Sequence, residues 1–281
     1  MNYRHEFHAG NFADVLKHAL LVRTLLYLRR KDKAFRFIDT HSGAGLYDLS
    51  GSEAQRSGEA RDGIDRLRAA ALSPAAAELL APYLESVGAG PLYPGSPKIA
   101  QRLLRPQDKA LCCELLPQAA AALRRALGRD ARVKVIERDG YEGLNAFIPP
   151  PERRGLVLID PPFERRDDYE RAFDSVAAAL KKWPGGTFMI WQPVKEPEIA
   201  DAFCREIGGL AEGLRIDLQA RAPGKGLGRT GLVVVNPPYV LEEEASVLLP
   251  ELTRLLAQDG TARFWLEPFG KKTDASKVPS Q

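Results

Sequence analysis

The chain has 281 residues, 44% hydrophobic and 27% charged, with a formal net charge of +3. That length and apolar content allow one sizeable core, which excludes a disordered chain or a small disulfide-stapled scaffold and makes a second independent domain unnecessary. Cys112, Cys113 and Cys204 make neither a disulfide framework nor a metal pattern, and no apolar run approaches a membrane span, so a cytoplasmic location is expected.

The N-terminal segment from Met1 to Asn11 is polar, aromatic and charged from Arg4 onward, with no apolar core of a leader, so no processing is expected. An apolar-periodic helix follows through Val15, Leu16, Ala19, Leu20, Val22, Leu25 and Leu26, with Asn11, Asp14 and His18 on one face. His5 and His8 lack partner cysteines or a third ligand at a recognisable spacing, so no metal site is expected. Taken alone, His18 reads as a helix-surface histidine.

Phe35 to Asp39 is a short apolar strand, closed by Thr40-His41-Ser42-Gly43-Ala44-Gly45. A dinucleotide-binding turn requires a third glycine where Asp48 stands, so the spacing suits a different cofactor better. Residues 47–95 form an insertion. Helical spacing at Ile64 and Leu67, then Leu80, Tyr83, Leu84 and Val87, predicts a small helical subdomain, with Ser73-Pro74 starting a helix that Pro82 should bend or interrupt. Ser96 is expected to cap the next helix, with Pro97 at its first position.

Two further strands end in acids. Lys109 to Glu114 puts Glu114 where it can accept ribose hydroxyls, and Val133 to Glu137 leads to Asp139 and Gly140, an acceptor for an adenine amino group and a small residue that lets the ring lie close. Gly155 to Phe163 is the most informative stretch. Its apolar run predicts a strand buried on both faces, and it stops at Asp160-Pro161-Pro162-Phe163, at the carboxyl edge where α/β sheets bind ligands. Prolines without N–H donors hold the loop stiff, and the Asp160 carboxylate and Pro161 carbonyl can accept the two N–H bonds of an exocyclic amine, aiming its lone pair. The Phe163 ring can stack on a base.

The pattern recurs at Gly231 to Tyr239, which ends in Asn236-Pro237-Pro238-Tyr239. A strand at Leu214 to Gln219 and a glycine-rich loop precede it, so it belongs to an antiparallel hairpin whose carboxyl end falls away from the cofactor. Asn236 to Tyr239 is therefore read as structural. Arg165 and Arg166 follow the first loop directly and are candidate phosphate contacts.

In sum of motifs, the chain resembles the bacterial 23S rRNA (adenine-2030-N6)-methyltransferase family of the RlmJ type. The marks are Tyr3-Arg4-His5-x-Phe7-His8-Ala9-Gly10-Asn11-x-Ala13-Asp14-Val15-Leu16-Lys17-His18, Asp39-Thr40-His41-x-Gly43-Ala44-Gly45, Tyr93-Pro94-Gly95-Ser96-Pro97 and Leu158-Ile159-Asp160-Pro161-Pro162. The resemblance implies an α/β fold, a class I adenosylmethionine-dependent methyltransferase sheet (Rossmann-like) carrying the inserted helices. It places His18, His41, Ser96, Glu114, Asp139, Gly140 and Asp160 at an S-adenosyl-L-methionine site, Asp160, Pro161 and Phe163 at the catalytic loop, and Tyr3 against RNA, with Arg4 and Lys17 beside it. Phe163 stands where the family more often has Tyr. Residues 1–267 are expected to form one methyltransferase domain and 268–281 a flexible tail. A monomer acting on 23S rRNA is expected; an amino-methyltransferase for DNA adenine or protein glutamine is the alternative, since both use an Asp or Asn-Pro-Pro-aromatic loop.

Overall fold

A computed structural model describes residues 4–165, 167–224 and 226–270. Ten strands are present among them: β1 (Arg36–Asp39), β2 (Leu46–Asp48), β3 (Leu92–Pro94), β4 (Lys109–Glu114), β5 (Val133–Glu137), β6 (Gly155–Ile159), β7 (Thr187–Pro193), β8 (Gly213–Gln219), β9 (Arg229–Val235) and β10 (Arg263–Phe269). Eight form one sheet in the order β10-β8-β9-β7-β6-β1-β4-β5. From β7 to β5 neighbouring strands are parallel, whereas β9 runs antiparallel to both β7 and β8, and β10 antiparallel to β8.

Alternation along the strands feeds two cores, as a sheet covered on both faces requires. In β6, Leu156 and Leu158 pack under the helices Phe12–Arg29 and Leu241–Leu256, while Val157 and Ile159 face Gly140–Phe147 and Asp168–Lys182. The inserted segment is stemmed by β2 and β3, paired antiparallel, and its Ile64, Leu67, Leu80, Tyr83 and Tyr93 are buried in the same core as the N-terminal helix. No helix among the described residues is long and apolar enough to cross a membrane.

Three local expectations are corrected. The helix Pro74–Val87 runs through Pro82 uninterrupted, because the loss of one backbone bond is offset by the burial of Leu80, Tyr83 and Val87 on either side. Ser96 is the first helical residue rather than the cap, a place taken by Gly95; its hydroxyl is drawn instead to the buried Asp39 carboxylate, 2.7 Å away. Finally, β10 continues through Pro268 and Phe269, past the expected start of the tail, since Phe269 packs against Gly213 across the strand pair.

Candidate active site

Parallel strands bring the ends of β1, β4, β5 and β6 to one edge, over a cleft of about 1240 Å³. His18, His41, Ser96, Glu114, Asp139, Gly140 and Asp160 all line it, as do Arg4, Lys17, Pro161 and Arg165. Tyr3 and Arg166 lie outside the described residues.

Gly43 and Gly45 both have positive φ, which makes the tight turn after β1 possible. The Gly43 N–H donates to Glu114 Oε2 at 2.8 Å, and the Leu116 N–H to Glu114 Oε1 at 2.8 Å. Glu114 is thus fixed by two backbone donors with lone pairs to spare for a diol. The turn leads into β2 rather than a helix, and its Gly43 amide is already used. A dinucleotide pyrophosphate would need a helix N-terminus there.

Asp139 caps the helix Gly140–Phe147, accepting from Tyr141 and Glu142 N–H, and its other oxygen accepts from Arg171 at 2.8 Å. Burial opposes its ionisation, but Arg171 and the helix amides hold its carboxyl below the usual range. Gly140 owes its size to the protein itself: a Cβ there would lie 1.9 Å from the Thr40 carbonyl. This close approach of β1's end requires a glycine whether or not a ligand lies beside it. Arg171 and Tyr141, whose ring lies under the guanidinium at 4.5 Å, had no sequence signal beyond their neighbours.

At the end of β6, Asp160 Oδ2 accepts from Lys17 Nζ at 2.5 Å, and Lys17 is held from its other side by Asp14 at 2.9 Å. Asp14 in turn accepts from His5 Nε2 at 3.0 Å and from the Gly10 N–H at 2.9 Å, so the polar N-terminal segment is folded onto the edge that carries Asp160. Burial works against the Lys17 charge, but the two carboxylates outweigh it and raise its pKa above the ordinary value. Burial likewise opposes ionisation of Asp14, yet Lys17 and His5 hold it well below the usual range. Lys17, expected beside the RNA, is therefore a partner of Asp160. No described donor bonds Asp160 Oδ1 or the Pro161 carbonyl, the two acceptors an amine would use.

His18 is fully buried rather than on the helix surface. Its Nδ1 meets the Tyr93 hydroxyl at 2.8 Å, and burial pushes its pKa down to about 3. Burial lowers His41 to about 4 and raises Asp39, beneath the turn, to about 7. Phe163 has positive φ, and its ring packs at 4.6 Å from Tyr169 and 5.8 Å from Trp191, off the cleft wall. Trp191, which the sequence did not single out, lines the cleft instead. Arg165 is paired with Asp167 and Arg4 with Glu53.

The second Pro-Pro loop lies at the opposite edge, because β9 is antiparallel. Asn236 Nδ2 donates to the Pro184 and Gly186 carbonyls, both at 2.8 Å, which fastens the turn before β7. The three histidines near the N-terminus are divided among Asp14, Glu59 and Tyr93, and no group of three or more His, Cys, Asp or Glu among the described residues could hold a metal ion.

This sheet, with β9 and β10 reversed against the other six strands and acids at successive strand ends, defines a class I methyltransferase. Residues 32–267 match the family described as Ribosomal RNA large subunit methyltransferase D, RlmJ, and the chain belongs to that family. It is 40% identical to Ribosomal RNA large subunit methyltransferase J of Haemophilus influenzae, covering 95% of this chain and 99% of that one, and 37% identical to the Escherichia coli protein of the same name over the same shares. The crystal structure of LPL1258 from Legionella pneumophila superposes with a TM-score of 0.85 at 33% identity, over 94% of this chain and 99% of that chain.

Proposed function

We propose that this chain transfers the methyl group of S-adenosyl-L-methionine to the N6 amino group of an adenine in 23S rRNA, adenine-2030 by family resemblance, as a cytoplasmic monomer. The observation that carries the reading is Asp160-Pro161 at the end of β6, held by Lys17 beside a cleft lined by Glu114 and Asp139. The donor set fits the cofactor: Glu114 retains acceptor capacity for ribose hydroxyls, Asp139 for an amino group, and the cleft exceeds the ~300 Å³ lower bound of ligand pockets. When bound, that cofactor supplies an electrophilic methyl.

The chain's own residues orient the other reactant. An adenine N6 is a poor nucleophile because its lone pair is shared with the ring. Acceptance of its two N–H bonds by Asp160 Oδ1 and the Pro161 carbonyl draws it out of conjugation, so that most of the rate comes from positioning. Lys17 holds the Asp160 carboxylate in place, and a carboxylate there favours the cationic amine that develops. The base must leave its stack to enter, and Trp191 offers a face for it on the cleft wall.

Incubation of the purified protein and labelled S-adenosyl-L-methionine with rRNA from cells lacking the enzyme, followed by nucleoside analysis, tests the reading. Labelled N6-methyladenosine in 23S rRNA is the expected product. Label on DNA adenine or on protein glutamine, with none on rRNA, would replace it.

A further inference from the structure

Charge is not spread evenly over this molecule. The segments that enter β1, β4, β5, β6 and β7, residues 29–36, 104–109, 128–133, 150–155 and 181–187, hold thirteen Lys and Arg against four Asp and Glu. They are net +9 in a chain whose total is +3, so everything else is net −6. Because these five strands are parallel, all of these segments lie at one edge of the sheet, opposite the catalytic loop.

The four acids of these segments are mostly used internally, and of the acids that open the helix Leu241–Leu256 at the same edge Glu244 holds Arg30 while Glu242 and Glu243 are exposed. Asp108 pairs with Arg105, Asp130 with Arg132 and Glu152 with Arg36. Arg29, Lys31, Lys33, Arg129, Arg153 and Lys181 are exposed and have no carboxylate partner among the described residues. The turn that carries the first three is held from within. Arg105 donates to the carbonyls of Arg29, Lys31 and Lys33 at 3.2, 2.8 and 3.2 Å, and Arg154 donates to that of Lys33 at 2.9 Å. With its carbonyls turned inward onto two buried-side guanidiniums, the turn stands as a fixed cationic ridge. Clustered like charge disfavours the compact state, so a ridge held this firmly calls for a polyanion to offset it.

Tyr239 adds a second, independent observation. It ends the repeated Pro-Pro motif, at this same edge, and is 78% exposed, with Tyr27 against it at 5.5 Å and Arg30 over Tyr27 at 5.6 Å. An exposed ring beside cations suits a nucleic acid with unpaired bases, which stack on aromatics while phosphates meet Lys and Arg.

We infer that the edge opposite the catalytic loop is a second RNA contact, binding the phosphate backbone of a stretch of RNA other than the one that carries the target base. Strands of four to seven residues at about 3.3 Å per residue separate the two edges by on the order of 15–20 Å, so the two contacts take different segments. The inference rests on the proposed rRNA substrate and extends it from a local stem to a larger folded RNA.

The test compares wild type with Arg29→Glu/Lys31→Glu/Lys33→Glu, with the neutral triple Gln variant and with Tyr239→Ala, on a long 23S rRNA fragment and on a short hairpin carrying the target adenine. Filter binding across salt gives Kd and its slope; methyl transfer gives KM and kcat; thermal melting checks the fold. For the long RNA the charge reversal should raise Kd about tenfold or more, and the neutral triple should flatten the log–log salt slope by roughly two to three, the loss expected for three phosphate contacts. Tyr239→Ala should raise Kd severalfold with the slope unchanged. Turnover of the hairpin should match wild type throughout. An unaltered slope, or equal losses on both RNAs in folded variants, would overturn the second contact, as would binding to anionic phosphatidylglycerol vesicles that depends on the triple while RNA binding does not. If wild type binds long RNA through this edge but methylates none, the proposed function falls and the contact stands.

Discussion

At the scale of single residues, two near-identical loops have been given opposite tasks by strand direction. Asp160 sits at the edge that holds the cleft, bonded to Lys17, while Asn236 sits at the far edge, bonded to Pro184 and Gly186. Asp160→Asn should leave the fold intact and cut turnover by at least ~10²-fold, since a carboxylate that favours the developing cationic amine becomes a neutral amide. Asn236→Ala should cost about 1–3 kcal/mol of stability through two unsatisfied carbonyls and leave turnover per folded molecule near wild type. Denaturant melts and single-turnover assays on both variants decide it; loss of turnover in a folded Asn236→Ala protein would reverse the assignment. His18 provides a pH test. Its pKa is depressed from 6.5 to about 3, so its neutral burial contributes stability that is fully present above pH 6.5 and is lost as pH falls toward 3, by ~1.4 kcal/mol per unit within that window. His18→Gln should flatten the slope of stability against pH between 6.5 and 4, and an unchanged slope would show that His18 does not govern it.

At the scale of elements, strands were more legible than side-chain roles. The apolar runs at Lys109 to Glu114 and Gly155 to Ile159 announce their strands because burial on both faces leaves little room for polar residues, whereas Val133 to Glu137, the edge strand, is only partly buried and carries Lys134 within it. The sheet edge that holds the cleft was legible for the same reason, since each run stops at an acid. What could not be read was how distant side chains meet. Lys17 lies 143 residues from Asp160, and no spacing rule connects them. Ser96 fits a cap pattern, but a buried carboxylate 57 residues away competes for its hydroxyl and wins. The aromatic of the Asp160-Pro161-Pro162 loop shows the same limit. Phe163 packs on Tyr169 and Trp191, so it shapes the loop, while Trp191 faces the cleft. Phe163→Leu should therefore keep most activity by preserving packing, whereas Trp191→Leu should lose about 1–3 kcal/mol in kcat/KM through the stacking face. Equal losses in the two variants, measured on the same rRNA, would count against separate roles.

At the scale of the whole molecule, the proposed cofactor site links binding to folding, because the Gly43 turn, Glu114 and Asp139 join segments that lie far apart in the chain. A ligand that binds only the folded chain stabilises it by about 2.7 kcal/mol at a hundredfold excess over Kd, which is a rise of several degrees in melting temperature for a chain of this size. Wild type should show that increment with S-adenosyl-L-methionine. Glu114→Ala should weaken the cofactor by roughly 2–3 kcal/mol, the scale for charge-assisted bonds to ribose hydroxyls, and so lose most of the increment at the same concentration. Asn236→Ala should melt earlier yet gain a similar number of degrees, since its defect lies at the far edge. Asp160→Asn should keep both the baseline and most of the gain, because its task is to orient the amine rather than to hold the cofactor. The pattern across these four proteins separates three kinds of failure that an activity assay alone merges. A full increment in Glu114→Ala would remove that residue from the cofactor site and, with it, the assignment of β4's end as the ribose position.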